Sequence, residues 1–299
     1  MSNTNCLVVT NGFFGDIMFA SSLAEKLPYD NVDYLIGFPQ MQTLIRNNPF
    51  IREVYVGVPV GPNPVANSEF AARYDRVIKL PTLNYQVTPC EEYQQFAGIE
   101  NPTADYTIYT IPEYDAVAKA VTNEYRERYG KPVIGVMSNW QEKTYIFTPE
   151  QYEAGVDVPG FGYGGKHRDI PAIVAELEKH FTVLSIGAGP LKQHETAGLP
   201  DDDVKSLTFE ASLLKYCDAF VGTEGGLANL AAGVGCRVIL TGDFIHQLYG
   251  PNGCIKKIEN PQLGPDKYFP KVGHFQINPY YTDKQVTATI IESITNVKV

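Results

Sequence analysis

The stretch CLVVTNGFFGDIMFASSLAEKL, residues 6–27, decides how the chain is read. It opens on a short, β-branched apolar run that stops at Asn11-Gly12. From Ile17 the apolar residues Ile17, Ala20, Leu23, Ala24 and Leu27 recur at helical spacing. A strand that turns through glycines into a helix is the first half of a βαβ unit, and its loop lies at the carboxyl end of the strand. Gly12 and Gly15 relax that turn. Asp16 falls at the cap or first turn of the helix, where a carboxylate accepts from otherwise unpaired N–H groups. Taken alone, the turn leaves two roles open for Asp16, a helix cap and a chemical group.

The same alternation continues outward. VDYLIGF (32–38) and EVYVGV (53–58) read as strands around a short helix, PQMQTLIRNNP. PVGPNPVANS is a Pro/Gly/Asn-rich loop, DRVIKL a fourth strand, and CEEYQQFAGI a helix. ADYTIYTI is extended, and EYDAVAKAVTNEYRERYG is a long helix ended by Gly130. The pattern restarts at Lys131 with the strand KPVIGVMS, followed by a long irregular stretch over 139–165. Then come the helix DIPAIVAELEKHF, the strand TVLSIGAG, helix and strand in TFEASLLKYCDAFVGT, the helix GGLANLAAGVG and the strand RVILTGD. The tail DKQVTATIIESITNVK suits a last helix. The expected fold class is α/β, with two Rossmann-like domains facing across a cleft. Their bounds are 1–130 and 131–280, with a terminal helix in 281–299 packing back toward the first domain.

The bulk numbers agree with a globular protein. The 299 residues are 44% hydrophobic and 19% charged, enough to bury two cores. No apolar run reaches the roughly 18 residues of a membrane-spanning helix. The N-terminus lacks the basic and apolar regions of a signal peptide, and the five cysteines form no C-x-x-C pair. A cytoplasmic protein with reduced thiols is expected. A net charge of −10 disfavours a nucleic-acid partner, because phosphate backbones are drawn to cationic surfaces.

In a doubly wound sheet, ligands bind beyond the carboxyl ends of the strands. That rule selects the loops at 10–16, 137–143, 187–190 and 222–226. In VGTEGGLANLAAGVG (221–235), Thr223, Glu224, Gly225 and Gly226 turn a strand into a helix. Adjacent glycines let backbone N–H groups approach a ligand, and the helix N-terminus favours a phosphate. Glu224 suits sugar or ribose hydroxyls. A plain glycine turn with a capping acid reads the same residues equally well. The other loops contribute Asn139, Trp140, Lys143 and Gly187, and His246 follows the last strand. The histidines show no metal-ligand spacing, and the first turn lacks G-x-G-x-x-G, which disfavours a nicotinamide dehydrogenase.

Four stretches together, NGFFGDIMFASSLAEKL, NNPFIREV, FVGTEGGLANLAAGVGCR and ILTGDFIHQLYGPNG, resemble glycosyltransferase family 9, the ADP-heptose:lipopolysaccharide heptosyltransferases. Their order and spacing match over nearly the whole chain. The resemblance implies the two-domain glycosyltransferase B architecture and an inverting enzyme that needs no metal or other cofactor. It implies a nucleotide-sugar donor, a saccharide or other hydroxyl acceptor, and Asp16 as the general base. Donor contacts are implied at Lys166, Thr223, Glu224, Gly225, Gly226 and Asn229, with Lys143 competing for the place of Lys166. The chain departs from the family where Asp becomes Glu224, Thr or Ser becomes Gly225, His becomes Asn229 and Pro becomes Arg237. Residues 1–130 hold more acids than bases, and the acceptor contacts Arg46, Arg52, Arg73 and Lys79 form no cluster. Two other readings stand beside this one: a phage-type transferase acting on hydroxymethylated pyrimidines in DNA, and a non-catalytic sugar-nucleotide binder. A sugar-nucleotide epimerase is disfavoured by the few acids and histidines near these loops.

Overall fold

The computed structural model describes residues 4–10, 12–57, 68–83, 87–137, 168–187, 206–223, 225–241, 277 and 281–296, and the backbone of 158–159, 247–249, 254–257 and 275–276. The first half holds β1 (Asn5–Thr10), α1 (Phe14–Ser21), β2 (Asn31–Ile36), α2 (Pro39–Arg46), β3 (Glu53–Val56), α3 (Ser68–Ala71), β4 (Arg76–Lys79), α4 (Pro89–Ala97) and α5 (Pro112–Tyr129). The second half holds β5 (Val133–Met137), β6 (Val158–Pro159), α6 (Ile170–Leu177), β7 (Thr182–Ile186), α7 (Leu207–Tyr216), β8 (Ala219–Gly222), α8 (Gly226–Gly233) and β9 (Val238–Leu240). β10 (Gln247–Tyr249), β11 (Cys254–Lys257), β12 (Phe275–Gln276) and α9 (Asp283–Thr295) complete it.

Local chemistry explains the helix ends. Thr88 caps α4: its hydroxyl accepts from the Glu91 N–H while the Glu91 carboxylate accepts from the Thr88 N–H, with Pro89 at the first helical position. α5 also opens on a proline and stops at Gly130, whose φ of 60° places it in the left-handed region.

Two parallel sheets result. The first has the order β3-β2-β1-β4, so the chain reverses its direction of growth between β1 and β4. The second has the order β12-β9-β8-β5-β7, with the reversal between β5 and β8. β10, β11 and β6 form a small antiparallel sheet. Alternation along β1 sets its two faces: Cys6 and Val8 enter the main core, whereas Leu7 and Val9 meet Phe70, Tyr74 and Val77. The main core is continuous from the first sheet into the second. Ile17, Met18, Leu44 and Ile45 belong to the same apolar cluster as Phe209, Leu213, Leu230 and Val238.

ADYTIYTI is extended without joining either sheet; it runs along α8, where the Ile108 N–H donates to Gly233 O at 3.0 Å. One expectation changes. The terminal helix, expected to pack toward residues 1–130, lies on the second sheet. Its Val286 and Ile290, one helical turn apart, are fully buried with Ile134, Val136, Ile173 and Leu177. The ion pair Arg168–Asp283 (3.0 Å) ties its first turn to the start of α6. An apolar stripe on α6 was the complementary surface within reach.

Candidate active site

The two reversals place the site. At such a point the neighbouring crossovers run to opposite faces of the sheet, leaving a crevice at the carboxyl ends of the strands. The loop after β1 leaves the first sheet at its crevice, and the loop after β8 leaves the second at its own. The helices that follow, α1 and α8, meet at their N-terminal turns. A Cβ on Gly15 would lie 2.7 Å from the Asn229 amide nitrogen, and one on Gly226 would lie 3.2 Å from Phe14 Cβ. Only glycine at 15 lets the Asn229 amide sit there undisturbed.

Asp16 stands at the third position of α1. Its Oδ2 accepts from the Phe13 N–H at 2.7 Å, so the carboxylate caps its helix as the sequence suggests. Burial raises the Asp16 pKa above the ordinary carboxylate value, and the Phe13 hydrogen bond offsets part of that rise. Gly12 lies directly beneath it: an added Cβ would be 2.2 Å from Asp16 Cβ, which cannot swing aside. Asp16 is therefore held by the turn, desolvated, and only partly withdrawn from solvent.

The opposing wall comes from α8. Asn229 is 3% exposed, and its Oδ1 has no hydrogen-bond partner. A buried amide oxygen without a partner costs about 1–3 kcal/mol, a debt that a ligand donor would relieve. The Tyr106 hydroxyl donates to Asn229 O at 2.7 Å and pins the turn from behind. Thr223, 6% exposed, directly follows β8 beside β5, with its hydroxyl 3.4 Å from Met137 Sδ. Gly225 is the residue before α8. Gly187 directly follows β7 with φ 94°, and its N–H donates to Glu210 Oε1 at 2.6 Å. Burial pushes the Glu210 carboxyl up to about 7 in spite of that bond.

Of the sequence-derived site residues, Asp16, Gly15, Gly226 and Asn229 come together where α1 meets α8. Thr223 and Gly225 lie on the loop that leads into α8, and Gly187 lies one strand beyond β5. Glu224, Asn139, Trp140, Lys143, Lys166 and His246 fall outside the described residues. The arginines proposed for an acceptor are engaged elsewhere: Arg52 grips the buried Asp33 through bonds of 2.9 and 2.6 Å, Arg46 pairs with Glu53, and Arg73 lies over the Phe70 ring. Sequence reasoning passed over Tyr106 and Glu210. The apolar alternation of 106 and 108 was the only hint for Tyr106, and nothing local marked Glu210. Among the described residues, no three His, Cys, Asp or Glu side chains are placed to hold a metal ion. No described helix is long and apolar enough to cross a membrane.

No protein-family model and no curated protein matches the chain. Solved structures do. A family 9 glycosyltransferase from Veillonella parvula superposes over 99% of this chain and 98% of its own, with a TM-score of 0.58 at 12% identity. The chain shares its fold with family 9 glycosyltransferases. E. coli ADP-heptose lps heptosyltransferase II matches over 98% of this chain and 99% of its own, with a TM-score of 0.53 at 14% identity. TibC from enterotoxigenic E. coli H10407, described as an iron-containing dodecameric glycosyltransferase, matches over 99% of this chain and 78% of its own, with a TM-score of 0.51 at 12% identity.

Proposed function

We propose that the protein transfers a sugar from a nucleotide-sugar donor to an acceptor hydroxyl, with inversion and without a metal. Residues 131–280 take the donor and 1–130 the acceptor. Asp16 is the general base: it removes the acceptor hydroxyl proton as that oxygen attacks the anomeric carbon and the nucleoside diphosphate departs. The carrying observation is the meeting of α1 and α8 at the carboxyl ends of two parallel sheets. This brings a desolvated carboxylate together with the N-terminal turn of a helix suited to diphosphate. A raised pKa makes Asp16 a stronger base once ionised. Developing charge on the diphosphate meets the partial positive charge of the α8 terminus, with Lys166 as the side-chain cation. Asn229 and Glu224 stand where the family has His and Asp, so the family's sugar and nucleotide are not carried over to this chain.

A thermal-shift screen against ADP-, UDP-, GDP- and dTDP-sugars tests the donor half. A ligand that binds the folded state alone at a hundred times its Kd stabilises it by about 2.7 kcal/mol. One nucleotide series is expected to raise Tm, and Asn229→Ala is expected to reduce that rise. A flat response to all four would oppose the reading. Donor binding without acceptor-dependent release of nucleoside diphosphate would favour the non-catalytic binder.

A further inference from the structure

We propose that Phe13, backed by Phe38, is the platform on which the acceptor's sugar ring stacks while its hydroxyl faces Asp16. This rests on the reading of Asp16 as the base. Phe13 is 78% exposed, although burying a phenyl side chain is worth about 1.5–3 kcal/mol. Its place in the fold is specific. Phe13 immediately precedes α1, at the carboxyl end of β1, and its own N–H is the group bonded to Asp16 Oδ2. Phe38 immediately precedes α2, at the carboxyl end of the neighbouring β2. The two rings lie 6.1 Å apart, tilted 37°, and Phe14 meets Phe38 edge-on at 5.3 Å. An aromatic surface thus borders the turn that holds the Asp16 carboxylate, on the first-sheet side.

The chemistry of a pyranose fits that surface. One face of the ring presents C–H groups carrying slight positive charge, which sit on the negative face of a phenyl ring. The hydroxyls around its rim stay free for polar groups, so a stacked ring can still present one to Asp16. Among the described residues of the first half, cations are tied up elsewhere: Lys26 is bonded to Gln94 and Thr103, Arg76 to Ala97 O, and Arg46 and Arg52 to acids. An acceptor recognised by its apolar face matches this.

Saturation-transfer NMR on the full chain, with methyl β-D-glucopyranoside as probe, tests the proposal. The wild type is expected to transfer saturation to the ring C–H protons. Phe13→Ala and Phe13→Leu should each weaken binding about tenfold, and Phe13→Trp should retain it. Phe13 is exposed, so an unchanged Tm is expected in all three and separates stacking from folding. Leucine keeps apolar bulk without a π face; binding by Phe13→Leu equal to wild type would overturn the stacking. So would unaltered binding by Phe13→Ala, no transfer to the wild type, or capture of 5-hydroxymethyl-2′-deoxycytidine in place of the glycoside. In Asp16→Asn, whose amide oxygen still accepts from a hydroxyl, the effect of Phe13 on probe binding should persist. Full turnover by that variant would sink the base while leaving the platform standing. Loss of turnover with no effect of Phe13 on binding would do the reverse.

Discussion

Gly15 and Asn229, from helices that begin at the carboxyl ends of two different sheets, approach so closely that a single methyl group on Gly15 would stand 2.7 Å from the Asn229 amide nitrogen. Gly15→Ala must therefore displace that amide. The expected cost is about 1–2 kcal/mol of stability and at least a tenfold fall in transfer. Denaturant midpoints and initial rates measure both. Adding Asn229→Ser, which shortens the opposing side chain, should restore stability but not activity, as coupling between contacting residues requires.

Glu210 gives a pH signature. Its carboxyl has a pKa of about 7 in the folded chain against an ordinary 4.5. Between those values the folded state holds a proton that the unfolded state has released. Its stabilising contribution is complete below about pH 4.5 and is lost as pH rises through 7, on the order of 3 kcal/mol at most. Urea unfolding at about pH 5 and pH 8 should show that decline. Glu210→Gln, which still accepts from the Gly187 N–H, should flatten it. An unchanged slope in the variant would place the pH dependence elsewhere.

Arg52 is predicted to matter for stability and not for the acceptor. Asp33 is fully buried and receives both Arg52 bonds and the Tyr74 hydroxyl at 2.7 Å. Arg52→Met leaves that carboxylate short of a counter-charge. Removing one partner of a fully buried pair costs about 3–5 kcal/mol; Arg52 is half exposed, so roughly 2–3 is expected. Calorimetry should record the lower Tm, while the acceptor KM stays within about twofold if Arg52 is remote from the acceptor.

The residues made some of this architecture legible and left other parts hidden, for a physical reason. Strands and helices declared themselves because period 2 and period 3.6 are local, as in CLVVT before FFGDIMFAS. The end of the long helix was marked by Gly130, again local chemistry. The contact between Gly15 and Asn229 spans most of the chain and leaves no periodic trace; the family resemblance, not the pattern, linked their loops. Arg52 illustrates the same limit. It looked available to a ligand because its partner, Asp33, lies one strand away and carries no mark of burial beyond the apolar run around it. The tail read correctly as a helix, but which surface its Val286–Ile290 stripe would meet depended on α6, far off in sequence.

With Asp16 as the proposed general base, its raised pKa is expected to set the acid limb of the rate profile. A base must be ionised, so kcat/KM should rise with pH through a value above the ordinary carboxylate 3.8. Gly12→Ala presses on Asp16 Cβ and should disturb this limb as well as lower the rate. An acid limb identical to wild type in that variant would assign it to another group.

The most direct test is acceptor-dependent release of nucleoside diphosphate, measured for the wild type and Asp16→Asn with the donor that the thermal-shift screen selects. Asparagine keeps the shape and still accepts from the Phe13 N–H, so Tm and donor Kd should stay close to wild type. Loss of a general base should slow release by about 10²–10⁴-fold. Release by Asp16→Asn at the wild-type rate would contradict the account and reduce Asp16 to the cap of its helix.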